Sequence, residues 1–383
     1  MTAAFNAIEP AGTNSYPVGS GQSPAACVSQ DVGCFEPHPW GGVPGIFKKL
    51  TDEAGLNYVV SLSTRNAASL RGHFLNTANT AWDLRGDIAS QKWDVVVLQG
   101  QSDEPLPAGK AKNANFPQFS TYASRIAEYI QTGQISQADT NGQTTEAQIF
   151  GGLENCMAAT SANPPGPGLS RTACNAVRTI PLNLHANPNA KIYLEQMWAR
   201  PDMVEAHQCT KPDLTTMDGT PIVDPTCSNG ANGDTVTAMN AVYYTSKSST
   251  AANLNDITAD MRTAMNTVVA SSGRLAGVVP VGDAFQRAVD TSVVKTSGFY
   301  DAAGIYSVSP TQMELWWKDR THASVYGSYL KALVLFGRLT GKNPAALGIG
   351  EQAAADMGIS EADASTLQKI ASDSLRAAGY PLE

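Results

Sequence analysis

The stretch Trp93-Asp94-Val95-Val96-Val97-Leu98-Gln99-Gly100-Gln101-Ser102 decides the fold. One acid and four apolar residues end abruptly in amides, which is the pattern of a parallel strand buried on both faces. Lys191 to Gln196 and Leu275 to Val281 read as further strands, as does the shorter Tyr58 to Leu62. Helical spacing separates them. Ile46, Phe47 and Leu50 share one face of a helix that Pro44 opens and Gly55 closes; Phe116 to Ile130 and Asn255 to Ser271 repeat the pattern. Gly282-Asp283-Ala284-Phe285 turns into another helix, which Asp283 is expected to cap. Strands alternating with helices predict an α/β fold with a parallel, doubly wound sheet. Residues 1–383 are read as one domain, with polar insertions near 131–181 and 202–233 and outer helices over 343–383.

A second stretch carries the chemistry: Lys318-Asp319-Arg320-Thr321-His322-Ala323-Ser324, followed by Tyr326-Gly327-Ser328-Tyr329-Leu330 and a long apolar helix ending near Gly341. Asp319 stands three residues before His322, a spacing that lets a carboxylate hold an imidazole in one tautomer so that it can accept a serine proton. The plainer reading makes Asp319 a helix cap and His322 an ordinary first-turn residue. In the first stretch, Gln101 lies at the carboxyl end of a strand, where open α/β sheets bind ligands. Its amide N–H can stabilise an oxyanion, although a polar loop leaving a buried strand has the same composition.

Together the two stretches resemble the SGNH (GDSL-like) hydrolase superfamily. Leu98-Gln99-Gly100-Gln101-Ser102 matches the Leu-Gln-x-x-Ser form of its oxyanion block, and Asp319-Arg320-Thr321-His322 matches its Asp-x-x-His block. Gly41-Gly42-Val43-Pro44-Gly45-Ile46-Phe47 and the helix around Leu330 to Thr340 extend the likeness over most of the chain. The resemblance implies a three-layer α/β/α, flavodoxin-like sheet and a serine esterase that needs no cofactor. It makes His322 the general base, Asp319 its orienting partner and Gln101 an oxyanion donor. Thr64-Arg65-Asn66-Ala67-Ala68-Ser69 stands where a second oxyanion block belongs, with Asn66 in place of the usual glycine. For the nucleophile block, Thr13-Asn14-Ser15-Tyr16 is the nearest match, so Ser15 is the candidate; the other reading is a chain that starts after its first strand, with the nucleophile upstream of Met1. Gln99 and Trp198, with Trp316 and Trp317, are read as a rim of amides and aromatic faces suited to an acylated carbohydrate. The rival from another class is a non-catalytic glycan-binding protein on the same scaffold.

Composition narrows the partners. With 383 residues, 42% hydrophobic and 16% charged, the chain can bury a large core. A net charge of −8 with no basic run argues against nucleic acid or anionic membrane partners. No window is apolar for long enough to span a bilayer. The six cysteines (Cys27, Cys34, Cys156, Cys174, Cys209 and Cys227) lie in loop-like sequence with neighbours close by, which predicts local disulfides and a secreted or periplasmic protein. The absence of a basic and apolar leader at Met1 fits a trimmed or truncated N-terminus. No zinc-type spacing accompanies the cysteines, and His38, His73, His185 and His207 are dispersed, so no metal site is expected.

Overall fold

The computed structural model describes residues 42–65, 68–77, 83–208, 210–215, 221–223, 242–317 and 320–383. In chain order the helices and strands are α1 (Val43–Glu53), α2 (Leu70–Phe74), α3 (Leu84–Ile88), β1 (Val95–Leu98) and α4 (Phe116–Thr132). There follow β2 (Gln143–Thr145), α5 (Glu146–Ile149), α6 (Leu153–Met157), α7 (Arg171–Asn175), β3 (Val177–Thr179) and β4 (Lys191–Glu195). The remainder are β5 (Thr210–Thr215), β6 (Pro221–Val223), α8 (Thr250–Ser272), β7 (Gly277–Val279), α9 (Val281–Asp290), α10 (Val325–Thr340), α11 (Gln352–Asp356) and α12 (Glu361–Ala377). The chain divides into two compact units. One holds the described residues of Ser63–Met197 and Asp260–Val279; the other holds those up to Leu62, of Trp198–Ala259 and of Pro280–Glu383.

The first unit is built on a parallel sheet in the order β1-β4-β7. β4 is central, and Ile192, Tyr193, Leu194 and Glu195 are all buried. Leu98 pairs with Leu194, so Gln99 and Glu195 emerge at the same, carboxyl, end of the sheet. α4 follows from local signals: Asn115 caps it by accepting from Gln118 N at 3.2 Å, and Pro117 stands in its first turn. Its buried stripe (Phe119, Tyr122, Ile126, Tyr129, Ile130) carries Tyr122 and Tyr129 edge-on to Phe74 of α2. The insertion that begins near residue 131 has its own structure. The antiparallel pair β2–β3 closes its base, and the Cys156–Cys174 disulfide ties α6 to α7.

In the second unit α10 is the central helix, packed against α1, α9 and α12. Ser324 caps it by accepting from Gly327 N at 3.2 Å, and it ends at Gly341 in the left-handed region (φ 74°). Its run from Gly327 to Gly337 is buried all round, as expected of a helix enclosed by others. A Cβ at Gly337 would lie 2.4 Å from Leu375 Cδ1, so this glycine sets how closely α10 and α12 approach.

Three local expectations change. Tyr58 to Leu62 has no strand partner among the described residues and Val59 is largely exposed; a strand needs a neighbour to satisfy its backbone. β1 lies at the edge of the three described strands and is only half-buried over Val95–Val97. Asp283 sits in the first turn of α9, whose N-cap is Pro280, so it is not the capping residue. Cys27, Cys34, Cys209 and Cys227 lie outside the described residues, so the expected disulfides are present at one pair, Cys156–Cys174.

A bond across a sequence separation of 18 constrains the unfolded chain by about 3 kcal/mol in the chain-entropy picture. We expect the Cys156→Ser, Cys174→Ser protein to lose amide protection over residues 146–176 in hydrogen exchange while α10 and α12 keep theirs.

Candidate active site

His322 sits in the second unit, half-buried, two residues before the capping Ser324. The backbone around it is fixed at every step. His322 O accepts from Trp317 N at 2.8 Å, Ser324 N donates to Leu315 O at 2.9 Å, and Ala323 bridges to Trp316. Thr321 O accepts from Trp198 Nε1 at 3.0 Å, and Thr321 Oγ1 donates to Asp202 Oδ2 at 3.2 Å. Asp202 in turn is gripped by Arg200 through Nε to Oδ1 (2.9 Å) and Nη2 to Oδ2. Arg320, two residues before His322, is fully buried with φ 60°, and its guanidinium meets Glu314 Oε2 at 2.7 Å. α10 presses on this loop from its first turn. A Cβ at Gly327 would lie 2.1 Å from Leu315 O and 3.2 Å from Ala323 Cβ.

The tryptophans read as a substrate rim are part of this packing. Trp198, Trp316 and Trp317 are 3%, 2% and 3% exposed. Trp198 stacks on Phe285 (5.1 Å, 12°) and has the Lys331 ammonium 5.4 Å from its centroid, while Trp316 Nε1 donates to Ala199 O at 3.0 Å. Trp198, read from the sequence as a substrate-binding residue, is buried here against Phe285 and Lys331 with its indole N–H on Thr321 O, so it braces the His322 loop. The sequence could not show this, since Phe285, Lys331 and Thr321 are distant along the chain.

Gln99 and Gln101 sit in the first unit, beyond the carboxyl end of β1; Gln99 is exposed and Gln101 half-buried. Among the described residues the Gln101 amide has no hydrogen-bond partner, which leaves its N–H groups available. Its carbonyl accepts from Glu104 N at 3.2 Å. Glu104 is the residue that sequence reasoning missed here. It is buried at 1% exposure, and its carboxyl accepts from Gln118 Nε2 of α4 (2.8 Å) and, weakly, from Leu70 N of α2 (3.4 Å). A Cβ at Gly100 would lie 3.3 Å from Glu104 Oε2, from Leu70 Cγ and from Phe119 Cε2, so the glycine lets the block settle onto this carboxyl. Burial pushes Glu104 up to about 7, against the smaller opposing effect of the Gln118 and Leu70 hydrogen bonds. The signal was in the sequence as the acidic pair Asp103-Glu104 directly after the amide block.

Ser15, Asn66 and Asp319, the expected nucleophile, second oxyanion residue and orienting acid, lie outside the described residues. Among the described residues no group of three or more His, Cys, Asp or Glu side chains is placed to hold a metal ion, and no helix is long and apolar enough to cross a membrane.

Two outcomes follow from these contacts. Gly327→Ala forces either α10 or the 315–324 loop to move, and we expect a loss of roughly 2–4 kcal/mol in denaturant unfolding, the scale of overpacking and broken loop hydrogen bonds. For Glu104, the folded chain retains a proton that the unfolded chain releases near 4.5, so stability falls as pH rises from about 4.5 to about 7. The Glu104→Gln protein should match the parent near pH 4.5 and exceed it at pH 8 by on the order of 3 kcal/mol. Paired urea titrations across that range measure the difference. His73, which burial lowers to about 4, titrates in both proteins and cancels from it.

No protein-family model and no curated protein sequence matches this chain. A solved structure similar to it is a DUF4886 family protein from Bacteroides uniformis, with a TM-score of 0.46 and 12% identity over 89% of this chain and 92% of that one. A likeness this distant transfers no role to any residue.

Proposed function

We propose that this chain is a carboxylic-ester hydrolase of the SGNH type, working through a serine acyl-enzyme on a flavodoxin-like sheet. The observation that carries the reading is the bracing of His322. A general base must be held on rigid structure within reach of the group it deprotonates, and His322 is half-buried on a loop fixed at residues 321 through 324. In this mechanism serine attacks the ester carbonyl while His322 takes its proton. The imidazolium then returns that proton to the departing alkoxide, and water repeats the cycle on the acyl-enzyme. By the sequence resemblance Gln101 supplies an N–H to the tetrahedral oxyanion, a contribution of about a hundredfold or more in comparable sites. The roles of Ser15 as nucleophile and Asp319 as orienting acid rest on the sequence resemblance.

The Cys156–Cys174 disulfide supports a secreted or periplasmic setting. The substrate class is a carboxylic ester. Burial of all three rim tryptophans removes the aromatic argument for a sugar-bearing ester.

The test is labelling with a fluorophosphonate followed by peptide mapping. We expect an adduct on Ser15 that falls by about a hundredfold or more in rate in the His322→Ala protein, the scale of a lost general base. A folded chain that takes no label, or labels equally without His322, overturns the reading.

A further inference from the structure

We propose that Thr321, Asp202 and Arg200 form a positioning relay that sets the orientation of His322. Both oxygens of the residue just before His322 are held by the segment that follows β4: the carbonyl by Trp198 and the hydroxyl by Asp202. The three side chains that reach toward this loop come from alternate positions, 198, 200 and 202, of one short stretch. None of them is free to turn. Trp198 is stacked on Phe285 and capped by Lys331, and Asp202 is forked by Arg200.

The energetics favour a directional role over a stabilising one. Arg200 and Asp202 are 4% and 0% exposed. An ion pair buried to that degree contributes little net stability, because desolvation offsets its Coulomb attraction, and apolar residues of the same volume do as well. What the pair supplies instead is a fixed acceptor. Asp202 Oδ2 is held in place by the guanidinium, and Thr321 Oγ1 donates to it; the backbone of Thr321, and hence the Cα and Cβ of His322, inherits that position. A histidine displaced by about 1 Å can lose on the order of a hundredfold in rate, so a single hydroxyl contact on the adjoining residue has leverage on catalysis. Asp202 and Arg200 act through Thr321 and need touch no substrate.

The kinetic part of this inference rests on the hydrolase reading; the structural part does not. The variants are Thr321→Val, which removes the hydroxyl and keeps the shape, and Thr321→Ser, which restores the hydroxyl. Thr321→Ala replaces the valine should that protein not fold. Each is assayed for kcat and KM on p-nitrophenyl acetate, for Tm, and for the His322 imidazole resonances by NMR with labelled histidine across a pH titration. We expect Thr321→Val to lower kcat by about tenfold or more with KM within about twofold, and to shift the His322 titration, while Thr321→Ser recovers both. Unchanged kcat and an unchanged His322 titration in Thr321→Val overturn the relay. So does a Thr321→Ser protein as impaired as Thr321→Val, since the hydroxyl would then be irrelevant. If the parent shows no hydrolysis, the hydrolase reading fails by itself and the NMR comparison decides the relay: a His322 titration altered in Thr321→Val and restored in Thr321→Ser sustains it, and an unaltered one ends it.

Discussion

Arg320 is the interaction on which the second unit's chemistry depends. Residues 291–324, between α9 and α10, contain no helix and no strand longer than an isolated bridge among those described. A stretch of this length without regular structure needs another source of order. The Arg320 guanidinium provides it, donating to Glu314 Oε2, Ser307 O, Phe299 O and Trp316 O and lying 5.5 Å from the Phe299 ring centroid. Lys295 joins from the same stretch, contacting Glu314 and Ser307 O, while Glu205 accepts from Gly298 N and Phe299 N. The left-handed backbone at Arg320 costs about 1 kcal/mol or more, a strain tolerated because its guanidinium finds four acceptors in one place. Residues just after it, Thr321 and His322, take their positions from that turn.

What was legible in the sequence was local. β1, β4, β7, α1, α4, α8 and α10 each announce themselves through a contiguous apolar run, a helical stripe, a capping residue or a terminal glycine, and each of those signals acts within a few residues. The loop around His322 was legible for the same reason, as a polar segment set directly before a helix start. Trp198 was not, because burial of an indole is decided by what arrives from elsewhere in the chain, here Phe285, Lys331 and Thr321. Tyr58 to Leu62 failed for a related reason. Strand propensity measures fit to a pleated surface, and among the described residues no neighbouring strand meets this segment, so the same β-branched and aromatic residues form no sheet there. Asp283 shows the limit of capping rules: Pro280 occupies the cap, which moves the acid into the first turn.

Two buried glutamates in the first unit show how far identical side chains diverge with their surroundings. Burial pushes Glu146 up as well, but the Arg71 hydrogen bonds and charge, with Tyr122 and Arg178, outweigh it and hold the carboxyl below its ordinary range. Its oxygens meet Arg71 Nη2 at 2.7 Å, Arg178 Nη2 at 3.1 Å and Tyr122 Oη at 2.8 Å. Glu104 receives only an amide and a long backbone contact, so desolvation prevails. Both nevertheless grip α2, one through Arg71 and the other through Leu70 N. The short helix is thus held by one carboxylate that keeps its charge and one carboxyl that stays protonated up to near neutrality.

This asymmetry bears on the Gln99-Gly100-Gln101 block, because Glu104 is the group beneath Gly100. While the carboxyl is protonated, it sits in its apolar pocket at no charge cost. When it ionises above pH 7, the same pocket disfavours it by an amount comparable to several ordinary hydrogen bonds. The His322 loop has no equivalent weakness in its arginine anchors, since a guanidinium does not lose its charge near neutrality. A loss of the first unit's stability on the alkaline side would therefore originate at the amide block, where the group that titrates is a structural carboxyl two residues beyond Ser102.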